Sequence, residues 1–235
     1  MVFLFAALFI LLVLEPNLTS GITQMPVKTP DQSETALRTN DDVERQVSQS
    51  GALIVIDPGR GGWDTGVQTG SVYEKDLAMQ LAQAIGAVLE KDGYRVEYSR
   101  WYDDIGDCDT TTACDAARLE KAKELGADYL LSLRFNQDDS LHGGFSIFTQ
   151  PDNEQLLALS KEIALQLQQV NYSRYEGLDT DHYSAFTTLS DSSVPAVLVQ
   201  LGYVTNTSDL AKLTNSTYQE KIASAIARAF LNTVN

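Results

Sequence analysis

Positive charge is in short supply in this 235-residue chain: 17 Lys and Arg stand against 32 Asp and Glu, for a formal net charge of −15. A chain this acidic repels phosphate backbones and anionic membrane surfaces, so nucleic acid is not expected as a partner. No basic patch offsets the imbalance. Cysteine is equally sparse. Cys108 and Cys114 lie six apart in a Thr/Asp-rich stretch, too few ligands for a zinc knuckle. They form either one local disulfide closing a small loop or two unrelated free thiols. No Gly-x-Ser-x-Gly elbow occurs, which leaves Ser-His-Asp chemistry without support. Ser132 falls inside a strand, where packing or a local hydrogen bond is expected. Only two histidines are present, His142 in a Gly-flanked turn and His182 in the stretch Asp179–Tyr183, and both read as partly exposed loop residues. There is no internal repeat.

What the chain does have is ordinary apolar content, 43%, and enough length for one domain with a real core. Val2 to Leu14 is an almost unbroken apolar run. It is short for a transmembrane helix but suits the apolar part of a signal peptide, with small residues at Thr19, Ser20 and Gly21 for cleavage. No Lys or Arg precedes it, which points to a mis-called start or weak targeting, and export includes retention as an uncleaved N-terminal membrane anchor beside cleavage. Residues 1–21 are thus expected to direct export, and 22–50, polar and without apolar period, to form a linker. The folded domain is expected over 51–235.

Within that domain strands and helices alternate. ALIVID (52–57), YLLSL (129–133) and AVLVQL (196–201) are continuous apolar runs, as in strands buried on both faces. Shorter strands are expected at 94–98 and 145–148. Helical spacing of apolar residues marks 74–92, 115–125, 154–170 and 218–234, with Gly93 and Gly126 as stops. The pattern predicts an α/β fold, a mostly parallel twisted sheet with helices on both faces.

In open sheets of this kind functional groups gather at the carboxyl ends of the strands. Those ends carry Asp57-Pro58-Gly59-Arg60-Gly61-Gly62, then Glu74 opening the first helix, Arg134-Phe135-Asn136, and Gln200 followed by Gly202, Tyr203 and Asn206. The segments IVIDPGRGGWDTG, YEKDLAMQLA, Arg100, Arg118 before GADYLLSLRFN, and PAVLVQLGYVTN occur in the order found in zinc-dependent N-acetylmuramoyl-L-alanine amidases of the Amidase_3 type. The chain resembles that peptidoglycan-cutting family from Ala52 to Val234.

The resemblance implies a catalytic zinc held by a His in the first loop, a Glu at the next helix start and a second His after the middle strand. It also implies a Glu on the last strand that activates the metal-bound water. Here those positions hold Arg60, Glu74, Arg134 and Gln200. A guanidinium has no lone pair for a metal, and an amide cannot take a proton from water. No cofactor is therefore expected. Arg60 and Arg134 are expected to converge on Glu74, with Gln200 lining the same pocket and a local charge near +1. Such a cluster either plugs a dead cavity or captures an anion such as a peptide-stem carboxylate. The expected role is a catalytically inactive amidase homologue in the periplasm or cell envelope, bound to peptidoglycan or to an envelope protein. Two alternatives are an active amidase with unconventional ligands and an envelope assembly factor without glycan contact.

Overall fold

A computed structural model describes residues 51–234. The export segment expected over 1–21 and the linker expected over 22–50 lie outside the described residues. Among those described, no helix is long and apolar enough to cross a membrane.

Six strands form the central sheet: β1 (Leu53–Pro58), β4 (Arg95–Tyr98), β5 (Tyr129–Asn136), β6 (Phe145–Thr149), β7 (Tyr175–Asp179) and β8 (Ala196–Tyr203). Their order is β4-β1-β5-β8-β6-β7. The β1/β4, β1/β5, β5/β8 and β6/β7 pairs are parallel, and only β6/β8 is antiparallel. A two-stranded hairpin, β2 (Gln68–Thr69) with β3 (Val72–Tyr73), precedes the first helix. The helices are α1 (Glu74–Lys91), α2 (Thr111–Leu125), α3 (Glu154–Val170), α4 (Thr207–Leu213) and α5 (Ser216–Thr233).

Alternation along the strands divides the core into two layers. Ile54, Ile56, Leu131, Leu133, Val197 and Val199 face α1, α3 and α5, whose apolar stripes bury Leu77, Leu81, Ile85, Leu159, Ile163, Ile226 and Phe230. Leu53, Val55, Leu130, Ala196 and Leu198 face the other way, under Leu119 and Ala122 of α2 and the short 3-10 turn that carries Leu189. Each fully buried Leu or Ile side chain contributes about 1.5–3 kcal/mol relative to exposure, so the two layers hold the sheet from both sides. This is the α/β architecture the sequence implies.

The differences in detail have local causes. The β5 strand continues past Leu133 through Arg134 to Asn136, because the buried arginine finds carboxylate partners and need not leave the sheet. The α2 helix begins at Thr111, four residues before Asp115, since the Thr110 hydroxyl caps it by accepting from the Ala113 N–H. The edge strand β7, YEGLD, carries a glycine and only partial burial, so it lacks the apolar run that marks the central strands. Asn153, Asn206 and Asn215 cap α3, α4 and α5 in the same way as Thr110.

Candidate functional site

The carboxyl ends of β1, β5 and β8 bring together the residues singled out in the sequence. Asp57 ends the apolar run of β1 and is fully buried. A carboxylate there needs partners on every side: three side chains donate hydrogen bonds to it and a fourth adds an ion pair. Ser99 and Ser132 donate their hydroxyls at 2.6 and 2.7 Å. Arg118 places Nε 2.9 Å from Oδ1, and Arg134 places Nη1 3.3 Å from Oδ2. Burial by itself would raise the Asp57 pKa, but the two guanidinium groups and the two hydroxyls outweigh it and bring it down to about 2.

Arg134 is itself buried, reaching across from β5 to Asp57 and, through Nη2, to Asp115 Oδ1 at 3.0 Å. Burial opposes its charge, but Asp57, Asp115 and Glu74 nearby hold the guanidinium above its ordinary range. Arg118, one turn along α2 from Asp115, pairs with that residue as well. A side chain at position 59 would overlap the Arg134 guanidinium, so glycine there is what lets the arginine lie across the loop.

Glu74, with no exposed surface, opens α1. Its Oε2 accepts from the Val67 N–H at 3.0 Å and from Arg60 Nε at 3.1 Å, and its Oε1 accepts from the Phe135 N–H at 3.1 Å. Arg60 sits at φ +65°, a left-handed conformation that costs an L residue about 1–2 kcal/mol. It also pairs with Asp64 at 3.4 Å. Arg100, buried, donates to the carbonyls of Pro58, Gly59, Lys75 and Tyr102, stapling the first loop to the start of α1. Burial lowers its pKa to about 10, with Asp57 opposing the shift, and it remains charged at neutral pH.

One expectation is corrected here. Arg60 reaches Glu74, but Arg134 forms no ion pair with it; its guanidinium is taken by Asp57 and Asp115. The reason is position: Asp57, Ser132 and Arg134 project from one face of the sheet toward α2, and the Asp57 carboxylate is buried directly in the path of the arginine. The expected local charge near +1 is corrected with it. Arg60, Arg118 and Arg134 pair with four carboxylates, from Asp57, Asp64, Glu74 and Asp115, and the buried Arg100 guanidinium, held by backbone carbonyls, brings the count of these charges to zero. Gln200 is half-buried, in register with Arg134 on β5 and Ser146 on β6, with Asn136 Nδ2 3.5 Å from its Oε1.

Asp115 was legible only as the start of a helix, and Arg118 only as part of the family resemblance, with no sign that either faces Asp57 or Arg134. The available signal was Asp57 itself: a carboxylate directly after Ile54-Val55-Ile56 has to be matched inside the protein. Cys108 and Cys114 form a disulfide with Cα atoms 5.2 Å apart, tying the loop after β4 to the first turn of α2 and so to Asp115 and Arg118.

Zinc, which the resemblance implies, does not fit these side chains. Neither Arg60 nor Arg134 offers a lone pair, and both oxygens of Glu74 are engaged by N–H donors. A separate group, Asp138, Asp139 and His142, brings one ligand atom each within 4.8 Å of the others. All three are exposed, and His142 Nδ1 already lies 2.8 Å from Asp139. His182 has its own partner, Asp179, at 2.8 Å, and both histidines lie in exposed loops as their sequence context suggests.

The family model described as N-acetylmuramoyl-L-alanine amidase, Amidase_3, matches residues 54–232. YqiI of Bacillus subtilis, an uncharacterized protein, is 30% identical over 178 residues, covering 75% of this chain and 82% of YqiI. The N-acetylmuramoyl-L-alanine amidase LytC of the same organism is 33% identical over 180 residues, 75% of this chain but only 34% of LytC. Among solved structures, the amidase AmiC2 of Nostoc punctiforme superposes with a TM-score of 0.66 at 28% identity, covering 77% of this chain and 96% of AmiC2. The CwlD amidase of Clostridioides difficile, solved in complex with the GerS lipoprotein, gives 0.67 at 28% identity, covering 77% of this chain and 98% of CwlD. With a sheet, helix order and strand-end loops of this kind, and a family match over most of its length, the chain belongs to the N-acetylmuramoyl-L-alanine amidase family.

Proposed function

We propose that this protein binds peptidoglycan in the cell envelope without cleaving it. One observation carries the reading: the Glu74 carboxylate is closed off by Val67, Arg60 and Phe135, and the neighbouring strand ends carry Arg134 and Gln200 in register with one another. Amide hydrolysis needs a water activated by a metal or by a base. Guanidinium groups and Gln200 supply neither. The scaffold around them is complete, with every strand-end loop in place, and family membership makes peptidoglycan its natural ligand. The apolar run over residues 2–14 supports export or anchoring, which puts the domain where that ligand is.

A second reading, hydrolysis of the N-acetylmuramoyl–L-alanine bond through an unconventional arrangement, is favoured by the names of relatives such as LytC. A third, assembly with an envelope protein and no glycan contact, is favoured by the CwlD–GerS complex. Three measurements on the purified protein separate them: zinc content after dialysis, peptide release from sacculi, and cosedimentation with sacculi. The proposal expects no stoichiometric zinc, no release, and cosedimentation. One equivalent of zinc with release that Glu74→Ala abolishes installs the amidase reading instead. Failure to cosediment leaves the assembly reading.

A further inference from the structure

Both tryptophans of this chain are exposed, and both lie on the two loops that border Arg60. Tryptophan is a mostly buried residue type, so two half-exposed indoles beside one site call for a reason. Trp63, three residues past Arg60, is 55% exposed; Trp101 is 50% and its neighbour Tyr102 72% exposed. They are the only aromatics among the large apolar side chains exposed in the described residues.

These rings are held rather than loose. The Trp63 indole N–H donates to the Cys108 carbonyl at 3.0 Å, and Cys108 is pinned by its disulfide to α2. That bond satisfies the polar edge of the indole, and its apolar face is what remains to meet solvent. Trp101 packs on Tyr98 with centroids 4.4 Å apart and lies 6.2 Å from the Tyr102 ring. Tyr102 is set at φ +48°, one of three non-glycine residues with positive φ among those described. The two loops are stitched together: Asp103 accepts from the Gly62 N–H at 3.2 Å and pairs with Lys75 at 2.7 Å, while Lys75 also donates to the Gly62 carbonyl at 3.0 Å. A preorganised aromatic surface binds without a large ordering cost.

The charge around it selects the ligand. Residues 101–110 contain four aspartates and no Lys or Arg, and Asp104, Asp107 and Asp109 are exposed. Phosphorylated headgroups, nucleic acid and anionic membranes are repelled. A pyranose has the opposite character: a face of C–H groups that packs on an aromatic ring, and hydroxyls and amides at its edge that donate to carboxylates. We infer that Trp63, Trp101 and Tyr102 form a carbohydrate-binding platform that takes the sugar rings of a glycan strand. This rests on the peptidoglycan reading and deepens it, assigning the contact to the glycan and not to the peptide stem.

Because both tryptophans lie on the platform, their fluorescence reports on it alone. The full-length protein is titrated with uncharged oligomers of β-1,4-linked N-acetylglucosamine, which present the pyranose faces of the glycan without the free lactyl carboxylate of peptide-free N-acetylmuramic acid, and separately with free stem peptide. The expected result is a saturable emission change with the glycan. Trp63→Ala and Tyr102→Ala should each weaken binding roughly tenfold, and Trp63→Phe, which keeps an aromatic face, by much less. Tyr102, the most exposed of the three, keeps the test valid if Trp63→Ala disturbs the loop. No saturable response to glycan, or unchanged affinity in a normally folded Tyr102→Ala protein, overturns the inference. Intact sacculi that cosediment while the glycan oligomers do not bind would overturn this platform and leave the peptidoglycan reading standing. Binding of neither would defeat both.

Discussion

Asp57 and Asp139 each have a basic side chain close by, Arg118 at 2.9 Å and His142 at 2.8 Å, yet the two regions behave as different kinds of chemistry. Asp57 has no exposed surface, and two guanidinium groups and two hydroxyls are needed to keep it ionised there. Asp139 lies in an exposed loop, where water does most of that work and the ion pair adds little. The distances are nearly equal; what differs is the penalty for losing the partner. A buried charge stripped of its counterpart cannot turn to solvent, so the strand-end network is a set of mutual obligations, while the histidine loops are interchangeable surface.

The sharpest test of that contrast is Asp57→Ala, which leaves Arg118 and Arg134 facing one another with Asp115 alone to balance them. It should cost about 3–5 kcal/mol in urea unfolding; a loss under roughly 1 kcal/mol would place the network with ordinary surface pairs. Glu74→Ala comes next. It strands the Phe135 and Val67 N–H groups and leaves Arg60 with Asp64 alone, for a loss of about 3 kcal/mol. Arg134→His, which the resemblance alone would commend as a step toward a zinc ligand, should destabilise the fold instead, because it withdraws a fixed charge from Asp57 and Asp115.

Acid should attack the same place. The folded Asp57 pKa, about 2, lies below its ordinary 3.8. Its contribution is therefore present above pH ~4 and lost as the pH falls toward about 2, an effect of about 2 kcal/mol. The difference in unfolding free energy between the parent and Asp57→Asn, followed from pH 5 to 2, reads it directly: a gap that does not narrow as the pH falls would contradict it. Replacing Cys108 and Cys114 with serine should cost about 2 kcal/mol by freeing the loop that braces α2. At the far end of the scale, His142→Ala and His182→Ala should leave the melting temperature where it was. A clear drop for either would mean that the exposed loops carry structural load.

Much of the fold was readable because buried strands announce themselves. Ile54-Val55-Ile56, Leu130-Leu131 and Val197-Leu198-Val199 are apolar on both sides, and the helices between them keep their stripes. The weak edge strand β7 and the capped start of α2 were not, since one depends on a neighbour for its pairing and the other on a single hydroxyl.

At the site the sequence by itself determined the chemistry on offer. Arg60, Arg134 and Gln200 cannot replace histidines and a glutamate wherever the backbone puts them, because protonation and lone pairs belong to the side chain. What only the tertiary structure decided was who pairs with whom. Arg134 answers Asp57 and Asp115, and not Glu74, because side chains on one face of β1 and β5 meet the polar start of α2 across that face. Those partners lie 77 and 19 residues away along the chain. Coulomb energy depends on separation in space and on burial, and neither is written in the spacing of residues.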